Sequence, residues 1–221
     1  MIKHIFFDID NTLYPSRDFA TLARKNAIKA MIRAGLNVKE EELEKLLYRK
    51  IKEKGSNYEH HFDDLLKELG VKKIEKYVAA AVAAYHDTKI TILPYPEVPR
   101  VLLELRDKKI KLYIASEGLS IKQWDKLLRL GIAQYFEEVF VVNEKKGGKN
   151  TKFYKEIIKK IKAKPEECLM VGDKEEKDIV PAKKAGMLTF RIMRGNIEKT
   201  AADFSGKDLK KILEIVKKPS K

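Results

Sequence analysis

The chain has little thiol and no long apolar run, and both absences narrow what it can be. One cysteine, Cys168, stands in 221 residues, so no disulfide can form within the chain. Its place inside the apolar run Cys168-Leu169-Met170-Val171 assigns it to packing rather than catalysis. No apolar stretch approaches the roughly 18 residues of a membrane span, and the N-terminal segment Ile5-Phe6-Phe7 is cut short by Asp8. Neither a spanning helix nor a signal peptide is expected, which points to a soluble cytoplasmic protein with no membrane partner. Histidine is scarce, at four residues. His4 precedes an apolar run, and the adjacent His60 and His61 would point about 100° apart on a helix, so they cannot share a metal unaided. With His86 they are assigned to surface or packing roles.

Acidic side chains are outnumbered: 33 Asp and Glu face 47 Lys and Arg, for a net charge of +14. A charge of that size invites a nucleic-acid reading. The lysines, however, recur singly or in pairs (Lys108-Lys109, Lys159-Lys160, Lys183-Lys184, Lys210-Lys211) and not in one block interleaved with aromatics, which argues against a specific nucleic-acid site. A charged fraction of 36%, with little Gln and Cys, matches a heat-adapted surface. The basic field would still attract anionic phosphate compounds. At 44% hydrophobic residues the chain can build one large domain or two modest ones.

What is present is a series of short apolar runs that end in chemistry-bearing residues. Ile5-Phe6-Phe7 reads as a strand buried on both faces, and it opens through Asp8-Ile9-Asp10-Asn11-Thr12 into a loop. An ordinary Asx-type turn would also explain the Asp and Asn. Two ionised carboxylates this close would repel each other and any phosphate, which implies a divalent cation. A second run, Lys111-Leu112-Tyr113-Ile114-Ala115, ends in Ser116-Glu117-Gly118, where a hydroxyl and backbone amides can hold phosphoryl oxygens. A third, Leu169-Met170-Val171, ends in Gly172-Asp173, with Asp178 five residues on; the glycine permits close approach and the acids are hard oxygen ligands. Between them, Lys149 precedes a helix that Thr151 would cap, with Lys145 and Lys146 close enough to take its place.

In order and spacing, the D-x-D-x-T tetrad at Asp8, the Ser116 strand end, Lys149 and the Gly172-Asp173…Asp178 cluster resemble the four signatures of the haloacid dehalogenase superfamily. The resemblance runs from Ile5 to Gly186. It departs from the family pattern at the lysine, whose following helix lacks the usual proline.

The resemblance implies a Mg2+-dependent phosphatase acting on small phosphorylated metabolites. Asp8 would be nucleophile and metal ligand, and Asp10 general acid and base, with its backbone carbonyl on the metal. Asp173 and Asp178 would complete the metal site. Lys149 would be catalytic and phosphate-binding, and Thr12, Ser116, Glu117 and Gly118 would face the phosphate. Pyrimidine nucleotides, glycolytic and glycolate-type phosphoesters all remain compatible. A phosphomutase shares every core motif, whereas a 2-haloacid dehalogenase is disfavoured because family members that cleave carbon–halogen bonds lack an acid at the Asp10 position.

Between Tyr14 and Leu93 the pattern changes to four successive helical periodicities, closed by Gly35, Gly55 and Gly70 and then by the Pro94-Pro96-Pro99 linker. Such a segment cannot belong to the sheet, and it resembles the helical cap of one subgroup of the superfamily. Residues 15–93 are therefore expected to form a helical cap, and residues 1–14 with 94–221 an α/β core. Tyr14 and Arg17, nearest the catalytic loop, are the candidate substrate-selecting residues of the cap side. Elsewhere strands and helices alternate, which predicts a Rossmann-like three-layer core with a five-stranded parallel sheet in the order 5-4-1-2-3. Ser120 and Gln123 read as a capping box for the helix that carries Trp124 on its core stripe.

Overall fold

The short apolar runs become the strands of one parallel sheet. In the computed structural model, which describes residues 1–56, 58–143, 147–195 and 198–217, the chain divides into two compact units: Met1–Ser16 with Leu93–Lys221, and Arg17–Ile92. In the first unit, β1 (His4–Phe7), β2 (Lys111–Glu117), β3 (Glu138–Val142), β4 (Cys168–Gly172), β5 (Leu188–Ile192) and β6 (Phe204–Gly206) lie in the order β3-β2-β1-β4-β5-β6. Every neighbouring pair is parallel. The expected order 5-4-1-2-3 is present, but the sheet has a sixth strand beyond β5. At three partly buried residues, β6 is too short to leave a periodic signal.

The second unit is all-helical. It contains α1 (Ser16–Arg33, whose first residue belongs to the other unit), α2 (Glu40–Lys54), α3 (His61–Glu68) and α4 (Glu75–Thr88). Ala27, Ile28, Met31, Leu43, Leu47, Leu65, Leu66 and Ala81 form its core. Gly35 (φ +98°) and Gly70 (φ +70°) follow α1 and α3 in the left-handed region, where a residue without Cβ is at ease.

The helices of the first unit are α5 (Val98–Asp107), α6 (Ser120–Arg129), α7 (Thr151–Lys160), α8 (Val180–Lys184) and α9 (Lys210–Ile215). On one face of the sheet Phe6, Tyr113, Phe140 and Met170 pack with Phe153, Tyr154 and Ile157 of α7 and Ala182 of α8, and the Phe6 and Tyr113 rings stack at 4.9 Å. Ile5 and Phe7 alternate to the opposite face and are equally buried. Cys168 is buried on the Phe6 face, and burial pushes its thiol up to about 12, consistent with an inert packing group.

Three local expectations change. Asn150, not Thr151, caps α7: its side-chain oxygen accepts from the Phe153 N–H at 3.0 Å. Ser120 forms no capping box, because Gln123 turns back and donates to the Glu117 carbonyl at 2.9 Å. Trp124 is 42% exposed. The helix buries the face of Gln123 and Leu127 instead, and Ile121, Trp124 and Leu128 share the outward side.

Phe6→Ala should cost about 3–5 kcal/mol of stability, as expected for an aromatic deleted from a closed core. The loss should appear as a lower denaturation midpoint at unchanged m-value.

Candidate active site

Register places the site. β1 pairs Phe7 with Ile114 on one side and with Val171 on the other, so the next residue, Asp8, is flanked by the Ala115-Ser116 end of β2 and the Gly172-Asp173 end of β4. The Asp8 N–H extends the ladder by donating to the Val171 carbonyl at 2.9 Å. Beyond it the chain turns sharply through Asn11, held at φ +56°. Its side chain donates to Asp173 at 3.4 Å and accepts from the Ser16 hydroxyl at 3.1 Å.

At the centre is Lys149. Its Nζ lies 2.6 Å from Asp8 Oδ1 and also bonds Asp178 Oδ1, with all three residues buried. Burial disfavours the ammonium, but Asp178 and Asp8 outweigh it and hold its pKa well above the ordinary lysine value. Asp8 feels the converse. Burial raises its pKa, Lys149 pulls it back, and Asp178 and Asp10 push it up again, leaving it at about 6.

Asp178 sits on a single π-helical turn, Glu175–Ile179. Its second oxygen accepts from the Lys174 N–H at 2.9 Å, and its side chain lies directly against Gly172, where any Cβ would collide with it. The Lys149 backbone is also held: its N–H donates to Glu117 Oε2 at 3.0 Å, and Glu117 Oε1 bonds Lys177. Burial raises the Glu117 pKa, but hydrogen bonds from Lys177 and from the Lys149 N–H more than offset that and lower it.

Asp10 lies apart from this cluster, in a second one. Lys126 Nζ reaches both its oxygens, at 2.8 and 2.7 Å, and the Tyr14 hydroxyl donates to Oδ1 at 2.9 Å. Burial works against the Asp10 charge, but the Lys126 ammonium and these hydrogen bonds prevail and hold its pKa below the usual carboxylate value. Asp10 is thereby held in its ionised form. Ser116 is buried at the end of β2, and Gly118 (φ +134°) follows it with its N–H on the Val142 carbonyl. Thr12 is fully buried, and its hydroxyl has no hydrogen-bond partner among the described residues. Arg17 opens the helical unit, where its carbonyl accepts from Thr21. Lys145 and Lys146 lie outside the described residues; among those described, Lys149 meets the Asp8 and Asp178 carboxylates.

Oxygens of Asp8, Asp173 and Asp178 all lie within 4.8 Å of one another. Three carboxylates against one buried ammonium leave excess negative charge in hard oxygen donors, which suits a small divalent cation.

Lys126 and Arg194 carry no motif and give no signal in the sequence, whereas Gln123 reads there only as half of a capping box. Arg194 lies 3.4 Å over the Tyr95 ring, pairs with Glu97 at 2.6 Å and donates to the Thr12 carbonyl at 2.8 Å, fastening the loop after β1 to the start of α5. A lysine in so basic a chain gives no signal of its own; only the fold distinguishes Lys126 from its neighbours.

A model of the haloacid dehalogenase-like hydrolases matches residues 2–186. The chain belongs to this family. It is 49% identical over 203 residues to the glyceraldehyde 3-phosphate phosphatase of Methanopyrus kandleri, covering 90% of this chain and 87% of that one. With the enzyme of the same name from Methanocaldococcus jannaschii it shares 43% over 223 residues, covering 98% of each. Both organisms are thermophilic archaea. Among solved structures, the 2-haloacid dehalogenase of Pseudomonas syringae pv. Tomato superposes with a TM-score of 0.70 at 21% identity, over 98% of this chain and 99% of that one. A haloacid dehalogenase-type phosphatase from Thermococcus onnurineus superposes at 0.68 and 22%, over 97% and 98%. These likenesses show the fold. Among the described residues no helix is long and apolar enough to cross a membrane.

Removing the ammonium while keeping the stem, as in Lys149→Met, should cost about 3–5 kcal/mol near neutral pH, because buried carboxylates lose their counter-charge. Asp8 binds its proton more tightly folded than unfolded, so its ionisation costs stability above about pH 6. Lys149 currently restrains that cost. Without Lys149 to pull it back, Asp8 binds its proton more tightly still, so the deficit of the variant should be largest at high pH and shrink as the pH falls toward about 6, as urea titrations at several pH values would read.

Proposed function

We propose that the chain is a Mg2+-dependent phosphatase of small phosphorylated metabolites, with glyceraldehyde 3-phosphate the first substrate to test. The observation that carries this reading is the convergence of Asp8, Asp173, Asp178 and Lys149 in one buried cluster beside Asp10. The relatives at 49% and 43% identity named as glyceraldehyde 3-phosphate phosphatases support the choice of substrate.

The chain is a hydrolase of phosphoric monoesters. Asp8 Oδ attacks phosphorus and the ester oxygen departs, leaving an aspartyl-phosphate. Asp10, once it has taken up a proton from solvent, passes it to the departing alkoxide, and as the carboxylate then removes a proton from the water that hydrolyses the intermediate. Lys149, Ser116, Thr12 and the backbone at Glu117-Gly118 bind the phosphoryl oxygens. Mg2+, held by Asp8, Asp173 and the Asp10 carbonyl with Asp178 in support, would offset the negative charge of those oxygens. Tyr14 and Arg17 would bias the choice of leaving group. The acid–base step is worth about 10^2 to 10^4 in rate.

Asp8→Asn should abolish release of inorganic phosphate from glyceraldehyde 3-phosphate while the far-UV spectrum is unchanged. Turnover by the folded variant would overturn the mechanism, and formation of an isomeric phosphate without free phosphate would make the chain a mutase. Chelation should stop turnover, and Mg2+ should restore it better than Ca2+, whose coordination is looser. Protons compete with the metal for Asp8, so Mg2+ affinity measured by titration calorimetry should weaken as the pH falls through about 6.

A further inference from the structure

Glu117 ends β2, one residue after Ser116, where the family resemblance sets it beside the phosphate. A carboxylate facing a phosphoryl group would repel it. The structure turns this one elsewhere: Oε2 accepts from the Lys149 N–H at 3.0 Å, and Oε1 pairs with the Lys177 ammonium. Asp178, the residue after Lys177, takes the Lys149 ammonium. Two crossed links therefore join three loops, with Glu117 on the backbone of Lys149 and Asp178 on its side chain. Glu117 is itself firmly placed. It pairs with Val142 in the sheet, and its carbonyl accepts from Gln123 at 2.9 Å. Its side chain is only 14% exposed, so water competes little for the bond to the Lys149 N–H. Gly148, immediately before Lys149, sits at φ +61°, and a Cβ there would strike the Glu117 carboxylate. The loop closes directly onto this carboxylate, at a place that glycine leaves open.

We propose that Glu117 is a positioning residue for phosphate binding: from the end of β2 it holds the Lys149 N–H, and so fixes where the Lys149 ammonium meets the phosphoryl oxygens. The inference rests on the phosphatase reading above. Position and charge act here with opposite signs. If Glu117 acted only through its charge, removing it would make the site more positive and tighten the binding of an anion. Because it acts by holding the Lys149 loop, removing it lets the ammonium drift and weakens that binding. The side-chain amide of Gln keeps an oxygen that accepts from an N–H and carries no charge, so Glu117→Gln separates the two effects.

The experiment measures kcat/KM on glyceraldehyde 3-phosphate, and its inhibition by inorganic phosphate, at saturating Mg2+. Glu117→Ala, Glu117→Gln, Gly148→Ala and Asp8→Asn are compared with the parent enzyme. Misplacing a catalytic group by about 1 Å can cost about 10^2-fold. Glu117→Ala should therefore lower kcat/KM by about 10- to 100-fold and need more phosphate for half-inhibition, and Glu117→Gln should recover most of both losses. Gly148→Ala, whose Cβ displaces the same carboxylate, should resemble Glu117→Ala, and it carries the test if Glu117→Ala does not fold. Unchanged or tighter phosphate inhibition in the alanine variants would overturn the proposal. So would a folded Glu117→Gln as impaired as Glu117→Ala, since charge and not the held N–H would then matter. In either case an inactive Asp8→Asn leaves the phosphatase reading standing. Activity that survives Asp8→Asn would remove that reading, and the proposal with it.

Discussion

One buried ammonium holds the site together. Asp8 and Asp178 could not both be ionised side by side in a protein interior without Lys149 between them, and Lys149 could not remain charged there without them. The contact joins residues 141 positions apart in the chain, so it exists only once the sheet has formed. Two glycines make room for it. Gly172 leaves space for the Asp178 side chain, and Gly148, at φ +61°, lies where a Cβ would strike the Glu117 carboxylate that holds the Lys149 N–H.

The parallel sheet explains why such distant groups meet. Each strand delivers its carboxyl end to the same edge, so the ends of β1, β2 and β4 bring Asp8, Ser116 and Asp173 together with no further device. The loops finish the arrangement. The tight turn at Asn11 directs Asp10 away from the Asp8 cluster and toward Tyr14 and Lys126. Two carboxylates two residues apart thus acquire different environments: burial raises the pKa of Asp8, while Asp10 is lowered because its charge partners outweigh burial. Burial and charge partners thus separate two carboxylates that share one loop.

The motif residues were legible because each stands at the end of an apolar run, and a run of that kind followed by a turn is a local signal. The sixth strand was not, being short and only partly buried. The caps of α6 and α7 were misread because Ser, Thr, Asn and Gln compete for the same exposed N–H groups, and the backbone path decides which is nearest. Trp124 followed its periodicity onto an apolar stripe, but α6 buries an adjacent face through Gln123 and Leu127. Lys126 and Arg194 carried no signal at all, since their importance comes from their partners and not from their type or spacing.

By itself the sequence determined the class of fold and the chemical character of the site, because periodicity, turn residues and strand-end carboxylates are properties of short segments. Tertiary structure alone decided the pairings: which lysine lies between Asp8 and Asp178, which cation holds Asp10, and which polar side chain caps each helix. Those choices depend on distances between segments remote in the chain. In a chain with 47 Lys and Arg, only the folded backbone distinguishes Lys149, whose ammonium is buried between carboxylates, from lysines that remain in water.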